Sequence, residues 1–150
     1  MTSSEAAITN LLYRYAEMVD GGRFEDLADE LFAHAEFTVA PPPAPRIDGA
    51  AMAGLMVATT IRHGDGTPRT KHVITNPILD VDEEAGTATC RSYYTVFQQT
   101  ETLPLQPIVA GRYHDRFARV AGEWCFTERD YTLIEMVGDI SQHLRISALP

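Results

Sequence analysis

The chain has 150 residues, a common size for one hydrophobic core, and its 45% apolar and 22% charged residues suit a globular rather than a disordered protein. Twelve Lys and Arg against 21 Asp and Glu leave a formal net charge of −9, which repels phosphate backbones and anionic lipid and so speaks against nucleic-acid and membrane partners. No apolar run reaches the roughly 20 residues of a membrane helix, and the opening MTSSEAAITN lacks the basic and apolar regions of a signal peptide. The expectation is a cytoplasmic protein with one domain over residues 1–150.

Thr2-Ser3-Ser4-Glu5 has the spacing of a capping box, and Ile8, Leu11, Leu12, Tyr15 and Val19 then fall on one helical face. Gly21-Gly22 ends that helix. A second helix is predicted at once, with Phe24, Leu27, Ala28, Leu31 and Phe32 on one face and Glu25, Asp26 and Asp29 off it. Residues 35–39 read as a short strand, the proline run 41–45 as a stiff extended loop, and 49–62 as a third, largely buried helix. After the loop 63–68 the texture turns β-branched and aromatic, which predicts strands at about 70–81, 88–100, 107–120 and 123–136. Short connections between them imply an antiparallel meander. Helices followed by strands make an α+β fold, with three N-terminal helices on one face of a curved antiparallel sheet. Long coiled strands closed by helices leave a cone with an apolar interior. Pattern alone does not place the segment after Gly138.

Several kinds of chemistry find no support. Cys90 and Cys125 both fall in predicted strands and read as reduced thiols, and the five histidines show no metal-ligand spacing. Walker, dinucleotide-binding and G-x-S-x-G motifs are missing.

The candidates are single side chains. Asp20 ends the first helix, where the helix dipole disfavours a carboxylate by roughly 0.3–1 kcal/mol, so it is either a solvated turn residue or is held by a partner. His72, early in the first long strand, is either a surface residue or points inward. The two alternating sets there, Thr70, His72, Ile74 and Lys71, Val73, Thr75, are both half apolar. If His72 points inward beside a carboxylate, its tautomer is fixed and its protonated form stabilised, as a general base requires. In 107–120 the odd set, Val109, Gly111, Tyr113, Asp115 and Phe117, is the better interior lining; Ile108, Ala110, Arg112, His114 and Arg116 fall on the outer face. Arg129 is either a surface charge or a cation aimed into the pocket.

The stretches YRYAEMVDGGRFEDLADELFAHAEF, TKHVITNPILDVD and GRYHDRFARVAGEWCF, spread over nearly the whole chain, resemble the SnoaL-like family of the nuclear-transport-factor-two-like superfamily. That family includes a polyketide cyclase, scytalone dehydratase and a lindane dehydrochlorinase. The resemblance implies a cofactor-independent lyase or isomerase without metal, working on a small apolar, aromatic or polyketide-like molecule. The mixed apolar and charged outer sheet face of Ile108, Ala110, Arg112, His114 and Arg116 suits an isologous contact, so a homodimer or higher homo-oligomer is expected. By motif, Asp20 and His72 match the dehydratase's aspartate–histidine dyad, Arg129 matches a cavity arginine of the dehydrochlorinase, and Tyr113 matches an inward strand position. Tyr15, Tyr93, Val109, Tyr113 and Tyr131 become the candidate substrate-binding residues. Val19 stands where the dehydratase has a tyrosine, and Tyr15 falls near the dehydrochlorinase's lysine. The other function the resemblance allows is a non-catalytic ligand-binding protein or the accessory subunit of a larger enzyme.

Overall fold

The computed structural model describes residues 1–145. Helix α1 (Ser4–Asp20) is capped by Ser3, whose hydroxyl accepts from the Ala6 amide at 3.2 Å, one residue later than the capping-box spacing places it. Its inner face buries Ile8, Leu12, Tyr15, Met18 and Val19. The helix stops where the Gly21 amide bonds Glu17 O and the Arg23 amide bonds Met18 O, with Gly22 at a positive φ of 74°. Gly22 lies against the Gly66 carbonyl, leaving no room for a side chain, so the turn after Asp20 is pinned to the loop leading into the first long strand.

The predicted second helix shrinks to one turn, α2 (Leu27–Glu30), although Phe24, Leu27, Leu31 and Phe32 are buried as its apolar face requires. Asp26 offers no side-chain cap and Arg23 draws Asp26 and Glu30 into ion pairs, so the segment folds as linked turns. Two short strands, β1 (Glu36–Thr38) and β2 (Ile47–Asp48), flank the proline loop. Helix α3 (Gly49–Thr59) follows, with the Asp48 carboxylate accepting from the Ala51 amide at 2.8 Å and Met52, Ala53, Met56 and Thr59 facing inward.

The rest is sheet: β3 (Thr70–Asp82), β4 (Thr87–Gln98), β5 (Gln106–Val120), β6 (Glu123–Asp130) and β7 (Ile134–Val137). The order is β2-β1-β6-β5-β4-β3, with β7 added to β5. The meander β3–β6 is antiparallel as expected, but the sheet as a whole is mixed, because β1 pairs parallel with β6.

The predicted strand 123–136 is two strands. Asp130 turns back to accept from the amide and hydroxyl of Thr132, and the chain re-enters at β7 against Val109–Gly111. Gly111 permits this approach: a Cβ there would press on the Leu133 carbonyl and stand 2.9 Å from the Tyr94 hydroxyl.

Three register shifts bend the β3–β6 meander, beside a fourth where β7 meets β5 at Ala110/Gly111, and each of the three exchanges the residues that face the core. In β3 the shift falls between Thr75 and Ile78, with Asn76 at φ 42°. Inward positions are Thr70, His72 and Ile74 before it, then Pro77, Leu79 and Val81 after it. Opposite the shift at Val96/Phe97, Ile108 turns fully into the core, which corrects its expected outer position. In β6 the shift beside Arg116/Phe117 puts both Phe126 and Arg129 inside. The helices and the turn after β7 cover the concave face.

Candidate active site

Where α1, α3 and the middle of β3–β5 converge, they leave a cavity of about 280 Å³. Val19, Met52, Leu55, Met56, Val96, Val109 and Ile140 make most of it apolar. The polar side chains in its wall are those of Tyr15, Thr59, Thr60, His72, Tyr94, Tyr113, Tyr131 and His143.

Asp20 and His72 meet at one side of this cavity. Asp20 Oδ1 lies 2.6 Å from His72 Nδ1 and accepts from the Thr70 hydroxyl at 2.8 Å, while Oδ2 accepts from the His72 backbone amide at 2.8 Å. Three donors from one strand therefore replace solvent around the carboxylate at the unfavourable end of α1. Both side chains are nearly buried, at 11% and 7% exposure. An ionised carboxylate only accepts, so Nδ1 carries the hydrogen and Nε2 keeps its lone pair. No described residue bonds Nε2, and His72 lines the cavity.

Four tyrosines face the pair. Tyr131 donates to the Tyr15 hydroxyl at 3.1 Å, and the Tyr113 ring stacks on Tyr94 at 4.4 Å between centroids. Burial raises the Tyr94 phenol to about 12 and lifts Tyr113 and Tyr131 well above their ordinary value, so these hydroxyls stay protonated. With Tyr131 donating to Tyr15, the Tyr94 and Tyr113 hydroxyls are the hydrogen-bond donors free for an oxygen atom inside an apolar chamber.

The expected pocket arginine sits elsewhere. Arg129 is fully buried and does not line the cavity; its Nε and Nη2 donate to the two carboxylate oxygens of Asp115 at 2.8 and 2.9 Å. Its guanidinium lies against the faces of Tyr113 (3.8 Å to the centroid) and Tyr15 (4.4 Å). Burial pulls Arg129 down, and the Asp115 carboxylate outweighs it, holding the guanidinium well above its usual range. The pair is a strut behind the tyrosines, and the guanidinium expected in the pocket does not reach it.

Tyr93 also moves out of the site. In β4 the even residues Ala88, Cys90, Ser92, Tyr94 and Val96 face inward, so Tyr93 is 54% exposed on the outer face and Tyr94 takes its place. Tyr15, Val109, Tyr113 and Tyr131 line the cavity as expected, and His114 faces outward.

Three functional groups escaped the sequence reading. Thr70 shares a strand face with His72, a signal present in the alternation. Asp115 lies on the inward set of its strand, and a buried acid there calls for a buried cation. His143 carries no signal, because its segment has no periodicity.

Residues 1–130 match the SnoaL-like domain. Similar solved structures include a Novosphingobium aromaticivorans protein assigned as a scytalone dehydratase, 26% identical over 89% of this chain and 85% of that one, with a TM-score of 0.64. ActVI-ORFA from Streptomyces coelicolor is 18% identical, over 86% of this chain and 96% of its own, with a TM-score of 0.64. A Novosphingobium aromaticivorans protein assigned as the β subunit of an aromatic-ring-hydroxylating dioxygenase is 18% identical, over 90% and 91%, with a TM-score of 0.67. The last two likenesses are of fold. No curated protein matches the sequence.

Proposed function

The chain belongs to the SnoaL-like family, and from that premise we propose that it is a cofactor-independent lyase or isomerase whose Asp20–His72 pair removes a proton from carbon. The substrate is a small, mostly apolar molecule of aromatic or polyketide-like character, and proton removal next to an activating group leads on to elimination of water, isomerisation or cyclisation. One observation carries this reading: the 2.6 Å contact that fixes His72 Nδ1 on Asp20 at the wall of an otherwise apolar cavity.

Each part has a physical role. With Nδ1–H held by the carboxylate, Nε2 presents its lone pair to the cavity as the base, and Asp20 balances the positive charge that forms on the ring. Asp20 keeps its own place through Thr70 and the His72 amide, so the base is preorganised. The Tyr94 and Tyr113 hydroxyls offer donors to the oxygen that gathers negative charge. Arg129 and Asp115 act indirectly, by holding the tyrosine rings. The volume sits just below the usual range of ligand pockets, roughly 300–1,000 Å³, which suits a mono- or bicyclic ligand.

A homodimer or higher homo-oligomer is part of the same reading. It is supported by the outer sheet face, where Val73, Ile78, Tyr93 and Met136 are exposed.

The test needs no knowledge of the natural substrate. 2-Tetralone carries an acidic CH₂ between its ring and its carbonyl, and deuterium uptake there from D₂O is followed by NMR. The wild-type protein should accelerate uptake, and His72→Ala, with unchanged circular dichroism, should lose about 10²–10⁴-fold. Equal rates with the two proteins would remove His72 from the chemistry.

A further inference from the structure

The segment after β7 delivers a second imidazole to the cavity. Gly138 N bonds Ile108 O at 2.7 Å, and a turn follows in which the His143 and Leu144 amides both bond Ile140 O. On either side of His143 the backbone is tied to the end of α3: Ile61 N bonds His143 O at 2.8 Å, and Arg145 N bonds Thr59 O at 2.7 Å. The preceding carbonyl, Gln142 O, accepts from both Gln98 Nε2 and His63 Nε2. This histidine is therefore held by main-chain bonds to several elements.

Its side chain, by contrast, has no partner among the described residues. His143 is 8% exposed, it lines the cavity that holds His72, and its Nδ1 is sealed from solvent without a hydrogen bond. Nε2, by contrast, is not sealed and has no partner among the described residues, so it is the ring nitrogen open to a ligand in the cavity, and an unmade hydrogen bond in so rigid a setting points to one. An unpaired N–H is worse tolerated than an unpaired lone pair. The sealed Nδ1 is therefore the bare nitrogen, and the hydrogen sits on Nε2. Burial, with His72 close by, lowers this imidazole to about 4, so it stays neutral where His72 works.

We propose that His143 is a catalytic residue of this site, a neutral imidazole that donates its Nε2–H to a carbonyl oxygen of the substrate. This role rests on His72 acting as the base, and it narrows the substrate class: the activating group is a ketone or aldehyde carbonyl next to the carbon that loses its proton. The C–H bond breaks, its proton passes to His72 Nε2, and its electron pair forms the C=C bond of an enolate. The carbonyl oxygen takes the negative charge and accepts the His143 hydrogen bond, and no proton leaves His143. Return of the proton from His72 to the same carbon gives exchange; return to a conjugated carbon gives isomerisation. Neutrality matters here, because a second cation beside His72 would oppose the arrival of the proton.

His143→Leu fills the space without a donor, and His143→Gln restores an N–H. With 2-tetralone, His143→Leu should slow deuterium uptake by about 10²–10³-fold, with little change in ligand binding, and His143→Gln should recover part of the loss. In ¹⁵N-labelled wild-type protein, long-range ¹H–¹⁵N spectra should show His143 as the neutral Nε2–H form. That ring proton should move downfield when 2-tetralone binds. Uptake that needs His72 but is unchanged in His143→Leu would overturn the role of His143 and leave the base in place. If the wild-type protein gives no uptake, His72 as base is what fails. The ring spectrum then decides for His143: a shift on ligand binding upholds the donor, and no shift overturns it. Failure of millimolar 2-tetralone to bind, read by saturation transfer, would overturn the carbonyl assignment.

Discussion

Replacing Arg129 by Met separates a strut from an anion-binding cation. The substitution removes two charge-assisted hydrogen bonds, at 2.8 and 2.9 Å, each worth about 1.5–3 kcal/mol. It also removes the guanidinium from the faces of Tyr113 and Tyr15, and leaves Asp115 buried with no cation. Breaking a buried pair from one side typically costs about 3–5 kcal/mol, against a total stability of about 5–15 kcal/mol for a single domain. Urea unfolding followed by circular dichroism should therefore show a large fall in midpoint for Arg129→Met and for Asp115→Leu. The double variant should be more stable than either single one, by about 3–5 kcal/mol, because two apolar side chains leave no charge behind and replacing a buried pair whole is close to neutral. Assayed where it is still folded, Arg129→Met should keep deuterium uptake within about tenfold of wild type, since its guanidinium does not reach the cavity. A loss under about 1 kcal/mol in Arg129→Met, or additive losses in the double variant, would refute the buried strut. A fully folded Arg129→Met that has lost turnover would return the arginine to the chemistry.

Four further outcomes follow from the geometry. Asp20→Asn should lower uptake of 2-tetralone deuterium by about 10²-fold or more, because an amide does not hold Nδ1–H and balance the ring's charge as a carboxylate does. His143 titrates near 6.5 when unfolded and about 4 when folded, lowered by burial, His72 and His63 and raised by Asp20. Its neutral form is thus favoured by folding, and the stability it supports is present above about pH 6.5 and lost as pH falls toward 4. The loss is on the order of 3 kcal/mol. His143→Leu should flatten that slope and be the more stable protein at pH 5, as urea midpoints across pH 4–7 will show. Gly111→Ala should cost about 1–3 kcal/mol and loosen β7, checked by hydrogen exchange of the Arg112 amide, which bonds Leu133 O at 3.0 Å. Light scattering should give a multiple of 16.6 kDa at micromolar concentration, and Met136→Lys with Tyr93→Lys should shift it toward the monomer.

What the sequence made legible divides along strand parity. Helical faces were readable because Ile8, Leu12, Tyr15 and Val19 keep one period throughout, and the α+β order followed from helices preceding strands. Alternation in β3 reads as ambiguous because it is two alternations joined at Asn76: even residues face inward before the shift and odd residues after it. The same cause hid Ile108, and it left Arg129 balanced between surface and interior, since a regular strand from Phe126 would have pointed residue 129 outward. Tyr93 was a different error. Two adjacent tyrosines necessarily face opposite ways, and Tyr94 shares its parity with the apolar set. The parallel pairing of β1 with β6 joins residues some 90 positions apart and leaves no local trace. Asp20 and His72 paired in the sequence as a dipole-disfavoured carboxylate and a strand histidine, a pairing that their family motif positions strengthened, and their contact has a local consequence that motifs do not display.

β3 is the last strand of the sheet, and its outer edge carries main-chain groups with no neighbouring strand to bond. At His72 that edge amide is occupied by Asp20 Oδ2, and the side chains of Thr70 and His72 grip the other oxygen. The carboxylate proposed to orient the base is therefore also a plug. It closes a rung on which another chain's strand would otherwise begin to pair, and it puts a helix across the approach. A variant that loses the carboxylate exposes a hydrogen-bonding edge beside the exposed Val73. A tendency to self-associate would then come from the loss of the same bond that holds His72 Nδ1.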